Sequence, residues 1–384
     1  MNKILISSMC IMTLWTLGCS QSKPTGTSSN TPSMIGETTS SSVIDLSIPR
    51  FPPKHVVWIE DWEGEDEPTE ARQKAEEYAS IGDQLKSRQR YIEADRQYEL
   101  ATLADPSWGY PSYQRACNFE LSNQPARSVA EFQKAIDLGF DDFPTALSDD
   151  ELGTIRNRPD FKQSLMRIRE RYVASGQSHV GTPIAVRPLS EKPDGGWPMM
   201  LLLHGYGDTN INYLGQAEDW AESGFVTVAV PGSVPAGGDH FQWPMESTAQ
   251  TNSDLQAIVQ SPQLEGLVNR EKVFLLGFSQ GALHAMLLTA EKPDLYAGVV
   301  GLSPGGSLVD QLITPDLKPS KRTVRCVFIH GTAEPHAPFV QIWKKATESA
   351  GWKFQSHTHP GGHQFPGNWA EMQPQIANFL ISGS

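Results

Sequence analysis

The sequence predicts an α/β protein with a doubly wound, mostly parallel sheet over residues 176–384, preceded by an all-α helical domain over 68–175. Three observations predict it. Apolar runs of strand length alternate with helical patterns from about Gly176 onward, the signature of a sheet covered by helices on both faces. A 34-residue periodicity of small and aromatic residues runs through 68–140, and periods of that length mark stacked helix pairs. Between the two patterns of the C-terminal half lies Gly277-Phe278-Ser279-Gln280-Gly281, a tight turn joining a strand to a helix.

The N-terminal elements are not fold. In residues 1–19, Lys3 is the positive start, Ile4 to Leu17 a short apolar stretch and Gly18-Cys19 a small-residue cleavage site, the layout of an export signal. Thr16-Leu17-Gly18-Cys19 resembles a bacterial lipobox, with Thr16 where Leu is more usual. That resemblance implies lipidation at Cys19 and an exported protein anchored to a membrane, with plain secretion as the alternative. Residues 20–67 form a tether and lead-in. The stretch to about Lys54 is Ser, Thr, Pro and Gly, too poor in apolar surface to offset its chain entropy. The acidic segment after it is expected to pack Trp58 or Trp62 on the following domain. Cys117 and Cys326, far apart in different domains, read as buried hydrophobes and not as a disulfide. A net charge of −13 argues against nucleic acid as a partner, since the acidic balance would not neutralise its phosphates.

Over residues 68–140, Tyr78, Gly82, Leu85, Ala94, Tyr98, Ala101 and Pro106 are spaced as in a helix-pair repeat. A shift of 34 places Ala116, Phe119, Ser128, Phe132 and Ala135 at the positions of Gly82, Leu85, Ala94, Tyr98 and Ala101. The stretch resembles tetratricopeptide (TPR) repeats. Two repeats rarely bury a continuous core, so the helical patterns at 145–156 and 159–172 are expected to form a degenerate third unit. The resemblance leaves two readings open: a packing module, or a groove for a protein partner.

In the C-terminal half, strands are predicted at Met199–Leu203, Phe225–Val230, Val273–Leu276, Ala297–Leu302, Val324–Ile329 and Lys353–His357, with an edge piece in Thr182–Leu189. Helices are predicted near 213–223, 247–260, 281–291, 338–349 and 367–381. In such a sheet the site lies at the carboxyl ends of the strands. Gly-x-Ser-x-Gly between strand and helix is the context of a nucleophile elbow, making Ser279 a nucleophile. A general base must reach it from a loop after the last strand. His363 sits there, with His357 and His359 as weaker choices. Glu334 is the sole carboxylate between Asp316 and Glu348 and is the candidate acid, with Asp310 and Asp316 second. The Gly-rich turn His204-Gly205-Tyr206-Gly207-Asp208 offers N–H groups for an oxyanion, with Tyr206 and Gln280 as donors. His204 is expected to hold that loop. Phe241 and Trp243, in the loop Pro231–Pro244, are candidate walls of an acyl pocket.

These motifs together resemble the phospholipase/carboxylesterase (acyl-protein-thioesterase-like) group of α/β-hydrolases. The resemblance rests on Leu203-His204-Gly205-Tyr206-Gly207-Asp208-Thr209, Gly277-Phe278-Ser279-Gln280-Gly281-Ala282, His330-Gly331-Thr332-Ala333-Glu334 and Gly362-His363. Glu334 stands where that group has Asp. The resemblance implies a serine carboxylesterase acting on an ester or thioester through an acyl-enzyme, with no metal or cofactor. An inactive scaffold whose repeats bind a partner, or a serine peptidase of the same fold, are the competing implications.

Overall fold

The computed structural model describes residues 47–64, 68–236 and 240–382. The expected export signal with Cys19 and most of the expected tether lie outside the described residues. Leu46–Ser384 forms one compact unit containing both the helices and the sheet.

The helical part starts with two antiparallel-pattern pairs, α1 (Glu70–Ser87) with α2 (Tyr91–Ala104), and α3 (Tyr110–Leu121) with α4 (Pro125–Asp137). Tyr91 and Pro125, which open the second helix of each pair, are 34 residues apart in the sequence. Gly82 is small for a packing reason: a Cβ there would stand 2.6 Å from the ring of Tyr98, which is fully buried. Tyr98 and Tyr110 both donate to the Asp83 carboxylate, at 2.7 and 3.0 Å. Beyond them come α5 (Phe143–Ser148), a 3-10 segment (Asp150–Asn157) and α6 (Pro159–Ser175). Tyr113, Phe132, Phe140, Phe161 and Tyr172 form their shared aromatic core. Cys117 is buried there and Cys326 in the sheet, each a free thiol pushed up by burial.

The lead-in does not end on the helices as expected. Val57–Trp58 is strand β1, paired parallel to β2 (Ile184–Val186), with Val57 N–H donating to Pro183 O and Ile59 N–H to Ala185 O. The reason is chemical: Val-Val-Trp-Ile is a β-branched and aromatic run, and it covers an otherwise open sheet edge. Trp58 is buried in the sheet's core beneath the Arg187 guanidinium, 4.1 Å from the ring centre.

The remaining strands are β3 (Trp197–Leu203), β4 (Val226–Val230), the small hairpin β5 (Val234–Pro235) and β6 (Phe241–Gln242), β7 (Val268–Phe278), β8 (Gly298–Leu302), β9 (Arg325–Gly331) and β10 (Lys353–His359). The main sheet has the order β1-β2-β4-β3-β7-β8-β9-β10, parallel throughout except for the β2–β4 pair. Its helices are α7 (Leu214–Glu222), α8 (Ala249–Val259), α9 (Gln280–Glu291), α10 (Ala337–Ser349) and α11 (Trp369–Ser382).

The period-2 alternation of strand side chains divides the core into two layers. Met199, Leu201 and Leu203 face α8, α9 and α10, packing with Leu255, Leu283 and Trp343. Met200 and Leu202 face α7 and α11, packing with Trp220, Ile376 and Leu380. Strand ends align: Leu203 is level with Gly277, Phe278 with Leu302, Leu302 with Ile329, and Gly331 with His359. The turns that carry Gly205, Ser279, Glu334 and His363 therefore emerge on one edge of the sheet.

Candidate active site

The turn after β7 is as tight as its glycines imply. Ser279 has φ 54° and ψ −118°, a strained backbone for a residue with a side chain. A Cβ on Gly277 would lie 2.3 Å from the backbone of Gly281, and one on Gly281 would lie 2.3 Å from Leu203 O. Only glycines let β7, α9 and the end of β3 converge so closely. Ser279 N–H donates to Leu302 O at 3.0 Å and Gly305 N–H to Ser279 O at 3.1 Å, which pins the turn to the end of β8.

The structure brings Ser279, His363 and Glu334 together. His363 Nε2 is 2.8 Å from Ser279 Oγ, and His363 Nδ1 is 2.7 Å from Glu334 Oε1. A carboxylate oxygen only accepts, so Nδ1 carries the proton and Nε2 accepts the serine hydroxyl. Glu334 is nearly buried, its side chain 7% exposed. Its other oxygen, Oε2, accepts from Ser303 Oγ at 2.6 Å and Gly331 N–H at 2.8 Å. Burial pushes the Glu334 carboxyl up, yet the hydrogen bonds from Ser303, His363 and Gly331 outweigh it and hold it below the usual carboxylate range. The acid is thus kept as an anion. The acid and histidine loops are laced together by Thr332 N–H to His359 O at 3.0 Å and Ala333 N–H to Gly361 O at 2.9 Å. The His363 ring lies against Phe278, with centroids 4.9 Å apart.

Residues 191–380 match a family model described as phospholipase/carboxylesterase. These residues, just under half of the chain, are thus similar to ester hydrolases of that family. The chain is 28% identical over 158 residues to NocK of Nocardia uniformis subsp. tsuyamanensis, an esterase by name, covering 38% of this chain and 42% of that protein. The chain thus spans less than half the length of that relative. Among solved structures it is similar to a Bacillus cereus carboxylesterase, with 19% identity, TM-score 0.42, 53% of this chain and 97% of the other covered. It is also similar to an uncharacterized protein from Bacillus cereus ATCC 10987, with 14% identity, TM-score 0.42 and 80% and 99% covered.

The turn after β3 lies beside the elbow: a Cβ on Gly205 would be 3.6 Å from Ser279 Cβ. Gln280 opens α9, so its N–H has no acceptor within the helix. Tyr206 is 58% exposed, so the turn faces solvent at this point. His204, by contrast, is fully buried and far from acting as a base. Its Nδ1 donates to Gly205 O at 2.7 Å while Nε2 accepts from Gly232 N–H at 2.8 Å. Burial pushes its pKa down to about 4, so it is a neutral strut between two loops.

The pocket reading of Phe241 and Trp243 does not fit their positions. Trp243 is fully buried and donates from Nε1 to His204 O at 2.8 Å. Phe241, 6% exposed, donates its N–H to Asp208 O at 2.8 Å. Both hold up the Gly-rich turn from behind. The Gln280 side chain completes this support: Oε1 accepts from Trp243 N–H at 3.0 Å and Nε2 donates to Trp243 O at 2.9 Å. Met245, 45% exposed, instead stands at the rim beside Gln280 and Ser307.

Of the alternatives, His359 is buried with Nδ1 at Pro360 O, and burial lowers His357. Neither contacts Ser279 or Glu334 among the contacts of the described residues. Two neighbours of the acid were not anticipated from the sequence, Ser303 and His336. His336 Nε2 donates to Pro304 O at 2.9 Å, and its Nδ1 is 3.6 Å from Glu334 Oε1. Burial lowers its pKa, so it adds no fixed positive charge beside the acid.

Proposed function

We propose that the protein hydrolyses carboxylic esters or thioesters through an acyl-enzyme on Ser279. The observation that carries this reading is the unbroken hydrogen-bond chain from Ser279 Oγ to His363 to Glu334, at 2.8 and 2.7 Å. Ser279 Oγ attacks the carbonyl carbon as its proton passes to His363 Nε2. The Glu334 anion stabilises the imidazolium that forms. The proton then goes to the departing alcohol or thiol, and a water repeats the sequence to release the acid. The Tyr206 and Gln280 N–H groups receive the tetrahedral oxyanion, each worth about 3 kcal/mol of barrier. The chain's own groups supply every proton transfer in this scheme.

The substrate is uncharged at its acyl end. The described turns that follow β3, β4, β8, β9 and β10, residues 204–213, 231–236, 240–248, 303–316, 331–337 and 359–369, contain no Lys or Arg, while Asp208, Glu246, Asp310, Asp316 and Glu334 all fall within them. An anionic acyl group would find no countercharge there and several like charges.

The helical part is TPR-like in this reading. The 34-residue spacing of Tyr91 and Pro125 and the Gly82–Tyr98 packing support it. A protein partner bound at these repeats, with the hydrolase domain as an inactive scaffold, is the second reading, and export with lipidation at Cys19 accompanies either. The test is hydrolysis of p-nitrophenyl esters of graded chain length by residues 47–384, beside Ser279→Ala. Turnover abolished in the variant supports the esterase reading, and absence of turnover on every ester favours the scaffold.

A further inference from the structure

The last residue of β8 and the three that follow it touch both ends of the reacting assembly. Leu302 O accepts from Ser279 N–H at 3.0 Å and Gly305 N–H donates to Ser279 O at 3.1 Å, so this stretch grips the backbone of the proposed nucleophile. Between those two contacts, Ser303 Oγ donates to Glu334 Oε2 at 2.6 Å, and Pro304 O accepts from His336 Nε2 at 2.9 Å. Four consecutive residues thus bridge nucleophile and acid without passing through the histidine.

Ser303 is built into this bridge at a structural cost. It is 1% exposed. Its φ is 49°, a left-handed value that a serine adopts only when its surroundings impose it. Its own N–H is used by Ile329 O at 2.8 Å, leaving the hydroxyl as the group aimed at the acid. Glutamate has one more methylene than aspartate, hence one more rotatable bond to fix. Gly331 N–H alone would leave the carboxylate free to pivot about that contact. The Ser303 hydroxyl supplies the second point on Oε2, which turns Oε1 toward His363.

We propose that Ser303 is a positioning residue for the triad acid, acting through Glu334 to set the direction and charge state of its carboxylate. The inference rests on the esterase reading. The titratable groups facing Glu334 are His363 at 2.7 Å and His336 at 3.6 Å, and the neutral donors are Ser303 and Gly331. Without Ser303 the anion loses one of the two donors on Oε2, so the carboxyl protonates at higher pH and the acid limb of activity moves up with it.

The test uses Ser303→Ala and Ser303→Gly in the full chain, the glycine accepting the left-handed backbone without strain. We expect kcat for p-nitrophenyl butyrate to fall about tenfold or more in both, with KM within twofold and the acid limb of kcat shifted upward. In a Glu334→Gln background the same substitutions should change kcat by less than twofold, because the residue acts through the acid. Glycine and alanine variants that keep wild-type kcat and an unmoved acid limb would overturn the proposal. So would an equal loss in both backgrounds, which would mark Ser303 as a general packing residue. An inactive wild type would instead refute the esterase reading, a result separable from either.

Discussion

Replacing Glu334 by Gln removes one charge and leaves the shape, and the surroundings of the acid dictate the consequence. In the native site Oε1 accepts from His363, while Oε2 accepts from Ser303 and Gly331. A carboxamide has one acceptor oxygen and one donor nitrogen, so it cannot serve both sides. Turning the oxygen toward His363 would set the NH₂ against the Gly331 N–H, a buried donor whose loss costs about 1–3 kcal/mol. The favoured orientation therefore gives the oxygen to Ser303 and Gly331 and points the NH₂ at His363 Nδ1. Nδ1 must then accept, the ring proton moves to Nε2, and Nε2 can no longer take the Ser279 proton. Loss of activity by this wrong-tautomer route is on the order of 10³–10⁴ in kcat, or about 4–5.5 kcal/mol of barrier. Steady-state hydrolysis of p-nitrophenyl butyrate at pH 7.5 measures it, with thermal unfolding as the control for intact structure. A folded Glu334→Gln variant within tenfold of wild-type kcat would refute this account of the acid.

Other consequences follow from the same geometry. Burial pushes His204 and His284 from 6.5 down to about 4, so between these values the unfolded chain binds more protons than the folded one. Stability is then full above pH 6.5 and falls as the pH drops toward 4, by about 2 kcal/mol per histidine at pH 5; urea midpoints at pH 7.5 and 5 read this, and equal midpoints would disprove it. Trp243→Phe removes the 2.8 Å bond to His204 O and leaves that carbonyl buried without its donor, so it should destabilise by about 1–2 kcal/mol and lower kcat more than it raises KM. Because the strand-end stretches carry acids and no Lys or Arg, a p-nitrophenyl ester of a dicarboxylic acid should turn over at least about tenfold more slowly than its neutral counterpart at low salt. Raising the ionic strength should narrow that gap, and an equal rate for both esters would contradict an uncharged acyl site.

Much of the α/β half could be read from residue patterns because each element there satisfies a local rule. The six expected strands and five expected helices correspond to β3, β4 and β7 to β10 and to α7 to α11, since fully buried parallel strands read as short apolar runs bounded by turn residues. Ser279, Glu334 and His363 could be named because a strand end, a turn and a sparse supply of carboxylates leave few choices. Ser303 could not. Its hydroxyl matters only because the ends of β8 and β9 lie side by side, a contact between residues 31 apart that no sequence window contains. Trp243 and Phe241 are not legible for a related reason: a loop has no periodicity to say which way a side chain points, and both turn inward to brace the Gly-rich turn. Val57–Trp58 carried a β-branched signal, but its partner β2 lies more than a hundred residues away, across the whole helical part.

The proposed mechanism depends on Ser279 as the nucleophile, and the most direct measurement of that role is covalent. Incubation with a fluorophosphonate probe, digestion and mass analysis of the peptides should find one adduct, on Ser279, with labelling absent in Ser279→Ala and strongly slowed in His363→Ala. Folded protein that takes up no probe, or takes it up at another residue, would contradict it.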